Sequence, residues 1–419
     1  MRALQFPVSI GSSVGTTKAS IAAFFLMFVL VLSLPPKWAT LHIAGLALVA
    51  AAGFARRVDW RTPAMRTYLL CTALWLVPVL VTAGLQHALG VATAPAWHEL
   101  PVLVLRMLGI GVGIIVLLQR GWLTLQSAIF ALLCALSIHA GAGLIELLTT
   151  PSASITNWRQ IRIDGLVYNP NPFGLFMALT AILAVGLLRD NARRPTLWAL
   201  LIVALLGVWT SGSRGAILTV ATGLAVLFPP VNRARLSIYL GAVALIFSTY
   251  FLIRQDANVT GSDSERMQAF LFTLEQIHQA PWLGWGIGAY ERLRGHVVNA
   301  PHNMWLDLVI SSGLVALAGA MLSTALLAYR LYRRSHPSAQ LALAVFAASV
   351  LAGTLEHSIL NSTHFRGIWV LVTALGCYTL NARRSPAYAR TLPDDASVSE
   401  TLKPVVDGLS SKSTLHASD

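Results

Sequence analysis

A histidine stands where a long polar segment of the chain gives way to an apolar one. His302 lies in the run Pro301-His302-Asn303-Met304-Trp305-Leu306-Asp307. A positioned imidazole can take a proton from a reacting hydroxyl group. If this segment faces the outside of a membrane, His302 could act as a base on a substrate that the bilayer presents. The alternative is an interfacial polar residue that caps the start of a helix.

Three arginines in other polar segments add a second kind of chemistry. Arg162 precedes Asn169-Pro170-Asn171-Pro172, Arg214 lies in Ser211-Gly212-Ser213-Arg214-Gly215, and Arg266 lies farther along the chain. A guanidinium group stays charged, and its planar fork binds phosphate oxygens through paired hydrogen bonds. These residues therefore favour a lipid-linked phosphate or pyrophosphate as the ligand. Headgroup anchoring or an ion pair explains each arginine equally well when it is taken singly.

The elements that must position these residues are membrane-spanning helices. The chain is 56% hydrophobic and 11% charged, about half the charged fraction of a soluble protein. Apolar runs long enough to cross a hydrocarbon core of ~30 Å recur from end to end. The sequence predicts twelve spans, at 20–34, 39–55, 67–85, 99–118, 122–148, 172–188, 196–210, 215–229, 236–253, 305–329, 341–360 and 366–381.

The basic residues predict the orientation of these spans. Most of the 30 Lys and Arg residues fall in one alternating set of loops and in the two terminal segments. By the positive-inside rule both termini are cytoplasmic. The net charge of +13 then reflects anchoring of the inner loops, and nucleic-acid binding is not expected. The run 20–34 is read as a span and not a signal peptide, because no small-residue cleavage site follows it.

The outer segments on this topology are 86–98, 149–171, 211–214, 254–304 and 361–365. Segment 254–304 is long enough for structure of its own. Ser262 and Glu265 have the spacing of a capping box, and apolar residues recur at helical spacing as far as Ile277. We expect an amphipathic helix on the membrane surface or over the mouth of the bundle, with Arg266 in its first turn and its end near Pro281. The run Gly284, Gly286 and Gly288 favours a turn over a phosphate cradle.

Further ionisable residues lie in the outer halves of the spans, which predicts a polar cavity that opens outward. Arg106 and Glu146 either line this cavity or form a buried structural pair. Asn169 and Asn303 are additional candidates to line it, although Asn169 is chiefly a helix-start signal. Asp307 does not orient His302, because a spacing of five residues points away by roughly 140° on a helix. The other members of the set are Glu99, Glu356 and His357.

The domain organisation follows from the same pattern. Residues 1–381 form one membrane-embedded domain, and residues 382–419 are polar and predict a disordered cytoplasmic tail. Cys71, Cys134 and Cys377 all lie in apolar spans, so no disulfide framework is expected in the outer loops.

Taken in order, these motifs resemble the O-antigen ligase branch of the O-antigen ligase/polymerase superfamily. The resemblance covers roughly residues 155–320, and the earlier spans match only in number and hydrophobicity. Phe270 is a departure, since relatives often have Trp there. The motifs that carry the resemblance are Arg162…Gly165, Asn169-Pro170-Asn171-Pro172-Phe173-Gly174, Ser211-Gly212-Ser213-Arg214-Gly215, Ser264-Glu265-Arg266, Pro281-Trp282-Leu283-Gly284-Trp285-Gly286-Ile287-Gly288 and Pro301-His302-Asn303…Gly313.

The resemblance implies an all-α helical bundle related to the GT-C glycosyltransferases, in a Gram-negative inner membrane. The implied enzyme moves O-antigen polysaccharide from undecaprenyl pyrophosphate to a lipid A–core sugar hydroxyl on the periplasmic side, with inversion and without a metal or other cofactor. His302 would be the base, and Arg162, Arg214 and Arg266 would stabilise the pyrophosphate. The alternatives are an O-antigen polymerase and, in a different class, a transporter or flippase of lipid-linked sugars. A transporter would more often hold its polar groups near the midplane.

Overall fold

The computed structural model describes residues 59–91, 99–121, 123–150, 162–167, 169–189, 192–229, 257–293, 302–334, 336–355 and 363–381. All regular structure in these ranges is helical. The first half contains α1 (Pro63–Ala88), α2 (Glu99–Val104), a π-helical turn (Leu105–Ile110), α3 (Gly111–Gln119), α4 (Leu125–Thr149), a 3₁₀ turn (Gly165–Val167) and α5 (Pro170–Leu188). The second half contains α6 (Pro195–Ser211), α7 (Arg214–Leu227), α8 (Ala257–Gln279), α9 (Ala289–Leu293), α10 (Met304–Tyr332), α11 (Pro337–Leu355) and α12 (Thr363–Thr379).

Six helical stretches in the described ranges are long and apolar enough to cross a membrane. They are α1, the continuous stretch Leu100–Gln119, α4, α5, α10 and α11, and α6 and α7 are shorter apolar helices. The prediction of a polytopic helical membrane protein is therefore confirmed. The predicted spans 20–34, 39–55 and 236–253 lie outside the described residues, as does the tail 382–419. The count of twelve spans and the GT-C relationship stay predictions.

Polar side chains at the starts of the apolar helices satisfy backbone amides that a helix cannot pair internally. Thr62 Oγ1 accepts from Met65 N before α1, and Thr124 Oγ1 accepts from Ser127 N before α4. Pro follows the cap directly in α1 and α5, where its fixed φ suits the first turn. Local sequence therefore sets where these helices begin.

The centre of the bundle is α5, which has the largest buried share among the six spans. It packs against α4, α6, α7 and α11. Glycines on the neighbouring helices permit this close approach: a Cβ on Gly207 would lie 2.5 Å from Met177 Cγ, and one on Gly223 would lie 2.3 Å from Ile182 Cδ1. Small residues at helix contacts are the usual means of packing inside a membrane.

The amphipathic helix of the predicted outer segment is present as α8, but its predicted start is wrong. The helix begins at Ala257, so Ser262 and Glu265 lie inside it and do not form a capping box. The S-x-x-E spacing also equals one helical turn, and no proline stops the helix from extending further back. Arg266 consequently lies in the third turn and not the first. The helix ends at Gln279, just before Pro281, as predicted.

Candidate active site

The segment that carries Arg162 is held against two helices. Glu146 on α4 accepts hydrogen bonds from the backbone amides of Asp164 (3.3 Å) and Gly165 (2.7 Å), and Ile163 N donates to Thr210 O on α6 (3.2 Å). These partners of Glu146 are backbone amides, so its carboxylate organises the Arg162 loop. The sequence leaves Glu146 as either a cavity residue or the partner of Arg106, and the structure places its carboxylate on the Arg162 loop.

Arg162 itself joins two of the predicted motifs. Its Nη2 donates to Asn171 Oδ1 (3.0 Å), and its Nε lies 3.5 Å from Ser211 O. Asn169 is the N-cap of α5, and its side chain accepts from Asn171 N at 3.0 Å. The prediction that Asn169 marks a helix start is confirmed. The Arg162 loop, the start of α5 and the end of α6 therefore meet at one place.

The tight turn 211–214 lies against the start of α5 because Gly174 has no side chain. A Cβ at Gly174 would lie 2.6 Å from Ser211 Oγ and 3.0 Å from Ser213 Cβ. Gly212 ends α6 in the left-handed conformation (φ 68°), and Ser213 then caps α7 through Ala216 N (3.2 Å). Arg214 is the first residue of α7. We call the assembly of Glu146, Arg162, Asn169, Gly174 and the 211–214 turn the arginine cluster.

Two helix N-terminal ends meet at the arginine cluster. The N-terminal ends of α5 and α7 both lie there, and neither helix has an acidic residue in its first turn. The backbone dipole makes a helix N-terminus a favourable place for an anion and an unfavourable place for an arginine such as Arg214. Asp164, which is half-buried, is the acidic residue of the loop, and Glu146 on α4 is a second acidic residue beside it. An anionic ligand would be stabilised here by both the guanidinium groups and the helix ends.

His302 precedes α10, and Asn303 is the cap of that helix. Asn303 Oδ1 accepts from Trp305 N (2.9 Å) and Leu306 N (3.1 Å). The interpretation of His302 as the capping residue is therefore wrong, because the capping oxygen belongs to the next residue. His302 is half-buried and has φ +45°, the only positive φ of a non-glycine residue in the described part of the chain. Trp305 Nε1 donates to Thr354 Oγ1 on α11 at 2.9 Å.

The glycine-rich segment after α8, residues 281–288, fills a break in α10. Gly313 has φ 77° and ψ 178°, which divides α10 into residues 304–312 and 314–332. Three backbone hydrogen bonds connect segment 281–286 to the break: Leu314 N donates to Pro281 O (2.8 Å), Trp285 N to Ile310 O (2.7 Å), and Gly286 N to Ser311 O (2.9 Å). Helical backbone can be interrupted at membrane depth only where protein satisfies its polar groups in this way.

Arg266 reaches this region through α8. Ala269 on α8, Tyr290 on α9 and Ile310 on α10 form a small hydrophobic core, and Trp285 Nε1 donates to Gln276 O at the end of α8 (2.9 Å). Gly284, Gly286 and Gly288 all have positive φ, so the prediction of a turn is confirmed. The helix that carries Arg266 and the helix that His302 precedes thus share one packed unit.

Arg106 lies in the π-helical turn between α2 and α3. The residue is buried (8% exposed), and π-helical turns occur frequently at functional sites. The hydroxyl of Tyr68 donates to the Met107 carbonyl in the same turn. A Cβ at Gly111 would overlap the Tyr68 ring, so glycine is needed there. Arg106 is thus a buried charge within a span, and the outward-opening polar cavity stays a prediction.

Sequence reasoning did not single out Arg366. This arginine lies in the first turn of α12 and is 2% exposed, and Asp307 in the first turn of α10 is 1% exposed. α12 packs against both α10 and the π-helical turn of Arg106. The signal in the sequence was a charged residue at the start of an apolar run, which also describes an interfacial anchor. Glu356 and His357 lie outside the described residues, and so does the side chain of Glu99.

Comparison with known proteins bears on the same region. A comparison with curated proteins gives no match. Residues 198–321 match the family model described as O-antigen ligase, a range that includes Arg214, Arg266, His302 and the break at Gly313. The match indicates a function of the O-antigen ligase or polymerase type. It assigns residues 198–321 to the O-antigen ligase family and supports membership of the chain in the O-antigen ligase/polymerase superfamily.

Proposed function

We propose that this protein is an O-antigen ligase. It would transfer O-antigen polysaccharide from undecaprenyl pyrophosphate to a sugar hydroxyl of lipid A–core at the periplasmic face of a Gram-negative inner membrane. The observation that carries the proposal is the family match over residues 198–321, within which lie His302 and two of the three candidate arginines.

The arginine cluster is the proposed pyrophosphate site. Arg162 and Arg214 lie beside the N-terminal ends of two helices, an arrangement that favours phosphate through charge and through backbone N–H groups. Arg266 would approach the same pyrophosphate from α8. In the transition state these groups would stabilise the negative charge that develops on the leaving pyrophosphate. Arg106, Asn169, Asn303 and Glu146 would line or support the cavity.

The proposed reaction is a direct displacement. The acceptor hydroxyl oxygen attacks the anomeric carbon as the bond from that carbon to the pyrophosphate oxygen breaks, and the configuration inverts. His302 takes the hydroxyl proton, and undecaprenyl pyrophosphate leaves with the electron pair of the broken bond. General base catalysis of this kind typically contributes ~10²–10⁴-fold.

A polymerase is the second candidate, because the family match does not separate the two activities. Its acceptor would be another lipid-linked repeat unit in place of lipid A–core. Deletion of the gene distinguishes the two on a lipopolysaccharide gel. A ligase defect leaves unsubstituted lipid A–core while lipid-linked polymer accumulates, whereas a polymerase defect leaves cores that bear one repeat. Lipid-linked units trapped in the inner leaflet would instead indicate a flippase.

The catalytic assignment is tested by His302→Ala in the deletion strain. We expect loss of the polysaccharide ladder at normal expression, and a wild-type ladder would refute the role of His302. Arg214→Lys and Arg266→Lys keep the charge but lose the guanidinium fork. We expect weaker transfer in both, and Arg120→Lys, at the C-terminus of α3, is the control that should transfer normally. Unchanged transfer by the first two would count against pyrophosphate binding.

A further inference from the structure

Gln86 is a buried amide that no sequence motif singles out. It lies in the last turn of α1 and is 1% exposed. Its Nε2 donates to two backbone carbonyls, Ser311 O on α10 (2.9 Å) and Leu283 O in the glycine-rich segment. A buried polar side chain with two partners of this kind fixes the segments that it joins, because moving them apart would leave its own buried N–H groups unsatisfied.

Ser311 lies on α10 just before its break at Gly313, and Leu283 lies in the segment that fills the break. After the break, α10 is bound closely to α1: a Cβ at Gly319 would lie 2.1 Å from Leu74 O, and Ser323 Oγ donates to Cys71 O (2.8 Å). Before the break, residues 304–312 follow a different direction, because Gly313 is not helical. Gln86 is therefore a contact through which α1 holds the part of α10 that leads to His302.

The glycine-rich segment completes this attachment. Its three backbone hydrogen bonds to Ile310, Ser311 and Leu314 take the place of helical bonds that the break removes. A Cβ at Gly284 would lie 2.8 Å from Gly313 N and from Ile310 O, so the two backbones are in direct contact. Gln86 donates a hydrogen bond to one carbonyl in each of these two segments. Its removal would loosen both together.

We propose that Gln86 is a positioning residue that fixes the direction of residues 304–312 and thereby places His302 against the reacting hydroxyl. The inference rests on the proposed function, in which His302 is the base. Ser311 and His302 are nine residues apart, about 13 Å along a helix, so Gln86 acts through the helix and not on the substrate. A displacement of ~1 Å at a reacting group can lower a rate by about 10²-fold.

The test compares two glutamines whose Nε2 donates to two backbone carbonyls. Gln340 Nε2 also donates to two backbone carbonyls, Val226 O (3.3 Å) and Leu227 O (3.1 Å), where α11 meets the end of α7. Gln86→Met and Gln340→Met each remove such a pair of bonds and keep the side-chain length. Gln340→Met also removes the bond that Gln340 Oε1 accepts from Arg189 Nη1 (2.7 Å), so the control loses at least as many bonds as the test variant. Gln86→Asn keeps the amide on a shorter stem and provides a second variant if Gln86→Met does not fold.

The purified full-length variants are assayed with the lipid-linked donor and lipid A–core. For Gln86→Met we expect kcat to fall about 10–100-fold, with KM for the donor within about threefold of wild type. The kcat of Gln86→Asn should lie between those of Gln86→Met and the wild type. Amide hydrogen exchange should become faster in peptides from 281–288 and 304–314. Gln340→Met should change neither kcat nor exchange in those peptides, even where it lowers thermal stability equally.

The outcomes separate this inference from the proposed function. If His302→Ala is inactive while folded Gln86→Met and Gln86→Asn retain wild-type kcat, Gln86 does not position the base and the proposed function stands. If kcat falls but exchange at 304–314 is unchanged, Gln86 acts by another route and the inference is wrong. If His302→Ala retains wild-type transfer, the catalytic assignment fails, and the role of Gln86 fails with it.

Discussion

Replacement of Gly313 by alanine is the most direct test of the break in α10. The φ of 77° and ψ of 178° fall in a region that is essentially restricted to glycine. Forcing another residue into this region lowers the stability of the protein by about 1–3 kcal/mol. The added Cβ would also lie 1.9 Å from Trp282 O and 2.7 Å from Leu283 N. Overpacking of this kind typically costs a further ~1–3 kcal/mol. We therefore expect Gly313→Ala to lower the free energy of unfolding by about 2–6 kcal/mol.

The matched control is Gly84→Ala, near the end of α1. Gly84 has nothing within 4 Å of an added Cβ and lies in regular helix, where alanine is favoured by roughly 0.5–1 kcal/mol. Both variants are measured in detergent by denaturant titration and by the yield of monodisperse protein. The free energy of unfolding and the yield of Gly84→Ala should equal or exceed those of the wild type.

The activity of Gly313→Ala should fall even in the folded fraction, because the alternative to strain is a straight helix. Straightening α10 would separate Ile310 O and Ser311 O from the amides of Trp285 and Gly286 and would move His302. Transfer per folded molecule is therefore expected to drop at least tenfold, by the same reasoning on misplacement. A Gly313→Ala protein with the stability and turnover of Gly84→Ala would refute the claim that segment 281–286 fills a required break.

Two further predictions concern the arginine cluster. Gly174→Ala would bring a Cβ within 2.6 Å of Ser211 Oγ and should lower both the stability of the protein and its rate of transfer. Gly141→Ala, with nothing within 4 Å of its Cβ, is the control and should leave both unchanged. The melting temperatures and turnover rates of the purified variants decide this. Glu146→Gln replaces the charged acceptor of Gly165 N (2.7 Å) with a neutral amide oxygen and should destabilise the Arg162 loop by about 1 kcal/mol. A raised KM for the lipid-linked donor is the expected readout, and an unchanged KM would contradict the supporting role of Glu146.

Elements that depend on neighbouring residues in the chain were predictable from the sequence. The start of α5 at Asn169 and Pro170 and the turn between α6 and α7 follow from side chains that cap or break a helix within a few residues. The apolar length of α1, α4 and α5 likewise specifies a span with no knowledge of its neighbours. The start of α8 was missed because the capping-box spacing also fits the interior of a helix.

The break in α10 could not be predicted, because its cause lies elsewhere in the chain. Gly313 stands in an apolar run that is compatible with an unbroken helix, and only the backbone of segment 281–286 makes the break favourable. Gln86 gave no signal for the same reason: its partners are carbonyl groups of residues about 200 positions away, and any residue type can supply a carbonyl. Spacing along a sequence reveals contacts between residues on one helix face, but not contacts to another segment's backbone.

The backbone conformation of His302 bears on its proposed role as the base. Its φ of +45° is sparsely populated for non-glycine residues, and the strain persists only where surrounding contacts enforce it. Asn303 supplies such contacts through Trp305 N and Leu306 N, and Trp305 is attached to Thr354 on α11. An anchoring side chain needs no defined direction, and a relaxed backbone would serve it equally well. A base that must meet one hydroxyl does need a defined direction, and the proposed role of His302 as the base would account for the backbone conformation that is enforced there.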